Sequence, residues 1–120
     1  MKGRKKSSWL EIIRIDKLTH LFFWLWLVSI VILMIVPFES NSKMEFQGKD
    51  KLVHFVLFSI LGLLFNRYQN KRKNYFINAG PFFLILFSIS IEFVQMLIPY
   101  RHFEPFDVLM NTLGVIFGIL

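Results

Sequence analysis

With 55% hydrophobic residues, 15 phenylalanines and a mean hydropathy of +0.54 over only 120 residues, the chain carries more apolar surface than a soluble domain of this size can bury. An apolar solvent removes the difficulty, so the composition predicts an integral membrane protein. No cysteine is present, which excludes a disulfide framework and a thiolate metal site; the net charge of +6 is segregated as membrane topology requires, which argues against a nucleic-acid partner.

Residues 1–17, MKGRKKSSWLEIIRIDK, form a basic leader. Within it, WLEIIRIDKL (9–18) mixes apolar and charged positions, predicting a stretch along the membrane surface before the chain turns in. An apolar run over 18–36 follows. It is long for a signal-peptide core, ends at Pro37 and precedes no small-x-small cleavage site, so it predicts a retained first transmembrane helix. His20 falls at the cytoplasmic start of that helix, and Trp24 and Trp26 are expected to face lipid or the inner aromatic belt.

Three further apolar segments span 52–66, 76–99 and 106–120. Phe, Leu and Ile without alternation predict helices and not barrel strands. No linker composition or internal repeat interrupts them, so 18–120 reads as one all-α, four-helix transmembrane domain. The second and fourth segments, at about 22 Å each, are short against a hydrocarbon core of about 30 Å, which places their first residues in a partly wet pocket.

Charge orients the bundle. Lys2, Arg4, Lys5, Lys6, Arg14 and Lys17 precede the first segment, and NRYQNKRKN after the second carries Arg67, Lys71, Arg72 and Lys73 without an acid. The other two connections are balanced or acidic. The positive-inside rule then places both termini in the cytoplasm, and the basic loop is a topology signal drawn to anionic lipid.

That orientation collects the polar residues. The second segment opens with Asp50, Lys51 and His54, the last one turn from Asp50 on the same face. The third closes with Glu92 and Gln95, with Ser88 a turn deeper. Arg101 and His102 lie in the connection, and the fourth opens with Asp107 and Asn111. All lie at the outer ends of their helices. Glu92, about 10 Å below that end, is costly as a bare anion and needs a proton or a partner among Arg101, Lys51 and His54. Gly114 and Gly118 continue the Asp107–Asn111 face and, with Gly62, predict close helix packing.

Two readings of this cluster compete. Asp50 and Asp107 sit where N-caps belong, and Gln95 and Asn111 serve equally as interhelical glue. Yet eight polar groups exceed what packing requires, which favours a functional pocket. His54, Glu92 and Asp107 are capable metal ligands, but no metal-spacing motif is present; no metal or cofactor is therefore expected. No G-x-S-x-G is present for a serine hydrolase either.

The segments DKLVHF (50–55), IEFVQ (91–95) and PYRHFEPFDVLMNTLGVIFG (99–118) resemble the VanZ-like family of bacterial membrane proteins. The shared pattern is Asp-Lys-x-x-His opening one helix and Glu-x-x-Gln closing the next, then an Arg, an Asp and Asn-x-x-Gly-x-x-x-Gly opening the last. It covers roughly 49–120. The resemblance implies a cell-envelope protein linked to low-level, teicoplanin-type glycopeptide resistance, and it assigns catalytic roles to none of these residues.

Three uses of the cluster follow as expectations. In the first, Lys51, Arg101 and two helix N-termini hold an anionic lipid, a lipid-linked glycan or a lipoglycopeptide in an outer-leaflet pocket. In the second, Glu92 or His54 acts as acid or base in an enzyme modifying a lipid-linked precursor. In the third, the cluster is purely structural or belongs to a small carrier, although the apolar inner halves of the helices argue against a conduction path.

Overall fold

Lys, Leu, Glu, Arg and Ile are good to moderate helix formers, and residues 4–35 contain no Gly or Pro. In the computed structural model, which describes residues 3–36, 47–69, 76–99 and 101–120, this whole stretch is one helix. The described residues form four helices and no strand: α1 (Gly3–Ile35), α2 (Gln47–Gln69), α3 (Phe76–Gln95) and α4 (Pro105–Ile119). The all-α architecture is as expected.

The boundaries carry corrections. The surface segment expected over 9–18 does not turn in: nothing breaks α1 at Leu18, and its 33 residues reach about 50 Å. Its first half overhangs the bundle, with Trp9, Leu10 and Ile15 exposed, and the molecule measures 66 × 29 × 22 Å. The second segment is not short, because its polar first turn is also helical; α2 has 23 residues, about 34 Å. Only α4, at 15 residues, remains short. α3 ends at Gln95 instead of Pro99. Tight turns follow, with Leu97 N–H donating to Val94 O at 3.0 Å and Arg101 N–H to Ile98 O at 3.2 Å.

Four basic residues of the orientation argument, Lys2, Lys71, Arg72 and Lys73, lie outside the described residues. So does most of the 37–49 connection.

α2 and α4 run parallel and pack most closely of all pairs. A Cβ on Gly62 would stand 2.5 Å from Val115 O, one on Gly114 2.5 Å from Phe55 O, and one on Gly118 would collide with Ser59 O. The glycines therefore allow backbone-to-backbone approach, as expected from their spacing. At the far end of the pair, Asn66 Nδ2 donates to Ile119 O at 2.9 Å, satisfying a terminal carbonyl of α4.

α1 and α3 run antiparallel to that pair. α1 is held by Trp26, whose Nε1–H donates to Leu57 O at 3.1 Å, so Trp26 turns inward. Trp24 is exposed, as expected for a lipid-facing ring. His20 packs edge-on against Tyr68 with ring centres 5.0 Å apart.

An apolar core that includes Phe58, Leu61 and Val115 is joined by a buried polar cluster and an extensive apolar surface, both unusual in a water-soluble protein. Leu33, Phe82, Phe93 and Phe117 are among many large apolar side chains facing outward, whereas His54, Ser88, Glu92, Gln95, Asp107 and Asn111 are buried. Within α1, Trp9–Ile35 is long and apolar enough to cross a membrane; Ala79–Gln95 and Pro105–Ile119 are shorter apolar stretches.

Candidate functional site

The up-down course of the chain brings the C-terminal ends of α1 and α3 to the N-terminal ends of α2 and α4. His54 stands at the centre of that polar end, 2% exposed. Its Nδ1 lies 3.0 Å from Asn111 Oδ1 and 3.5 Å from Glu92 Oε1. Asn111 Nδ2 donates to the same Glu92 oxygen at 3.3 Å. Because Asn111 offers an acceptor to the ring, this pattern assigns the hydrogen to Nδ1.

The other ring nitrogen faces two further carboxylates. Nε2 is 3.9 Å from Asp50 Oδ1 and 4.0 Å from Asp107 Oδ2. Asp50, His54 and Asp107 each offer one ligand atom, all within 4.8 Å of one another. Two carboxylate oxygens here, Glu92 Oε2 and Asp107 Oδ1, are buried without a hydrogen-bond partner among the described residues. Such orphaned acceptors are costly in a low-dielectric interior.

Of the three partners considered for Glu92, His54 is the one it meets. Lys51 instead pairs with Glu104 at 3.0 Å, both side chains partly exposed. Arg101 does not neutralise Asp107 or Glu104. Its Nη1–H donates to Met34 O at 3.0 Å, and Gln95 Nε2–H donates to the same carbonyl at 3.0 Å. Met34 lies in the last turn of α1, where carbonyls lack intrahelical partners. Both groups therefore cap α1, and the Arg101 charge sits at the negative end of the helix dipole.

The capping reading of the two aspartates is also corrected. Glu104 occupies the N-cap position of α4, makes no side-chain cap bond and is followed by Pro105; Asp107 lies two residues further in, with its carboxylate turned to His54. Asp50 is the fourth residue of α2. Each carboxylate still complements a helix N-terminus electrostatically. His102 is exposed and joins nothing in the cluster.

A cavity of about 210 Å³ opens between the end of α1 and the start of α2, lined by the apolar Leu33, Met34, Val53 and Leu57 and by the polar Lys49, Asp50, His54 and Arg101. Glu92, Asn111 and Gln95 are not among its lining residues. Lys49 was not singled out in the sequence, although its i, i+4, i+8 spacing with Val53 and Leu57 marks a common face. Glu104, the partner of Lys51, is the other residue whose place the sequence did not indicate.

Residues 19–120 match the family model described as VanZ/LLP1. This chain belongs to the VanZ/LLP1 family. The matched range contains the whole polar cluster and all three packing glycines, while the basic leader precedes it. Neither a curated protein nor a solved structure matches this VanZ/LLP1 chain.

Proposed function

We propose that this VanZ-like protein crosses the bacterial cytoplasmic membrane several times, with both ends of the chain cytoplasmic, and holds the head group of an anionic or lipid-linked envelope component at its polar end. Through that binding it contributes to low-level, teicoplanin-type glycopeptide resistance. The observation that carries this reading is the cavity at the polar end. Apolar Leu33, Met34, Val53 and Leu57 line it together with Lys49, Arg101, His54 and the single carboxylate of Asp50, so two cations face one acid, a combination suited to an amphipathic ligand with a negative head. The outward apolar faces of all four helices support the multi-pass reading, and the segregation of Lys and Arg supports the orientation.

The test is phenotypic. Cells lacking the protein are exposed to a panel of glycopeptides and lipoglycopeptides, and complemented with wild type or with Lys51→Ala, Glu92→Gln, Arg101→Ala or Asp107→Asn. Modest sensitivity rescued by wild type and not by these polar-end variants, Arg101→Ala in the cavity lining above all, supports the reading; unchanged sensitivity of the deletion removes it. Because the chain lacks cysteine, single introduced cysteines labelled from outside the cell check the orientation on a clean background.

A second reading draws on the 3.5 Å approach of His54 to Glu92. A membrane-embedded enzyme acting on a lipid-linked precursor would use His54, which lines the cavity, as acid or base, with Glu92 orienting it from behind. If Glu92→Gln keeps full resistance while Lys51→Ala abolishes it, a catalytic part for Glu92 is excluded.

A further inference from the structure

We propose that Asp50, His54 and Asp107 bind a divalent metal ion of the zinc class, with Glu92 and Asn111 orienting the imidazole from the opposite side. The arrangement is a ligand set seen from both shells. Asp50 and His54 stand one turn apart on α2, Asp107 comes from α4, and their ligand atoms lie within 4.8 Å of one another. A tetrahedral metal with bonds of about 2.0–2.2 Å sets its ligand atoms about 3.3–3.6 Å apart. Rotation of Asp50, whose side chain is 48% exposed, together with a shift of a few tenths of an ångström between His54 and Asp107, now 4.0 Å apart, closes the remainder.

Three observations point to a cation there. First, Asn111 Oδ1 accepts from Nδ1, with Glu92 Oε1 3.5 Å away on the same side, which in a neutral ring leaves the Nε2 lone pair directed at two carboxylates 3.9 and 4.0 Å away. Facing acceptors repel unless a positive centre lies between them. Second, Asp107 is 5% exposed and its Oδ1 lacks a hydrogen-bond partner among the described residues, although the side chain is aimed into this gap. Third, three carboxylates surround one imidazole, while Lys51 and Arg101 are engaged with Glu104 and with the end of α1.

The contact of Nδ1 with a carboxylate and an amide oxygen is the support a metal-ligating histidine ordinarily has, fixing its tautomer and raising its basicity. One imidazole and two carboxylates, with no thiolate, suit Zn²⁺ or Mn²⁺ over softer ions. Three protein ligands leave a position free, and Asp50 and His54 both line the cavity. The inference rests on the proposed head-group binding in one respect only: a cation at this place would let a lining that bears a carboxylate accept an anion.

The experiment uses the full chain, purified in detergent, stripped with EDTA and titrated with Zn²⁺ alone and with Mn²⁺ alone. One saturable equivalent per chain is expected. His54→Ala and Asp107→Asn should lower the affinity at least tenfold, and Asn111→Leu by 10–100-fold as a supporting group. Glu11→Gln, an exposed acid in the leader, should leave it unchanged. Should Asp107→Asn not fold, Asp50→Asn at its half-exposed position gives the same comparison.

Absence of stoichiometric uptake of either ion overturns the proposal, as does uptake unaltered by Asp50→Asn; a proton on His54 then fills the gap. Native mass spectrometry with phosphatidylglycerol separates this proposal from the head-group reading. Lipid adducts persisting in EDTA without metal uptake remove the metal site alone. Metal uptake without lipid adducts supports the site while removing the head-group reading.

Discussion

His54 Nδ1 and Asn111 Oδ1 meet at 3.0 Å across 57 residues of sequence, and this contact joins α2 to α4 at the buried polar end. Glu92 of α3 touches both partners, so three helices share one hydrogen-bonded unit. Removing one member leaves the others buried and unpaired, at a cost of about 1–3 kcal/mol. His54→Ala and Asn111→Ala should each destabilise by that amount in reversible unfolding. Their double-mutant cycle should show coupling between about 0.6 kcal/mol, the average for interhelical hydrogen bonds in membranes, and about 1.7 kcal/mol, the largest. Additive effects would show that the pair does not interact.

The glycine contacts give a sharper steric contrast. A side chain on Gly118 meets the Ser59 carbonyl and one on Gly114 the Phe55 carbonyl, whereas nothing lies within 4 Å of a Cβ on Gly48. Gly118→Val should cost about 1–3 kcal/mol or more, the range of overpacked interiors, because the obstacle is backbone. Gly48→Ala should stay within about 0.5 kcal/mol. Parallel thermal unfolding of the two variants checks this.

That glycine face was legible in the sequence because a helical period of 3.6 puts Asp107, Asn111, Gly114 and Gly118 on one side. The same period placed His54 beneath Asp50. The limits of α3 and α4 were nearly legible too, since apolar runs mark them. What escaped was set by the neighbouring chain. Helix formers without a breaker carry α1 through the charged leader, and hydropathy does not register that continuity. Arg101 was read as a candidate partner of Glu92, yet the tight turns after Gln95 carry it over the end of α1. A single sequence holds no local signal for a carbonyl 67 residues away.

That carbonyl has two donors. Gln95 and Arg101 each lie 3.0 Å from Met34 O, so either covers for the loss of the other. Gln95→Ala and Arg101→Ala should each cost about 0.5–1.5 kcal/mol. The double variant should exceed their sum by at least about 0.5 kcal/mol, as the end of α1 loses both satisfied bond and compensating charge. Hydrogen exchange at the last turn of α1 should accelerate most in the double variant.

Lys51 provides the opposite case. Its bridge to Glu104 is partly exposed on both sides, and such pairs contribute about 0–1 kcal/mol. Lys51→Ala should therefore leave the melting behaviour nearly unchanged. A loss of glycopeptide tolerance with unaltered stability would give Lys51 a part in the function of the polar end; a large loss of stability would show that the bridge is structural.

The meeting of α2, α3 and α4 at one imidazole is tested most directly by a through-space dipolar measurement in lipid bilayers. The sample carries ¹⁵N in the His54 ring and ¹³C in the Glu92 carboxyl. The expected result is a coupling that puts the carboxyl carbon no more than one C–O bond, about 1.2 Å, beyond the 3.5 Å separating Nδ1 from Oε1, lost in His54→Ala. Uncoupled nuclei in folded wild-type protein would place the two side chains apart and contradict the shared site.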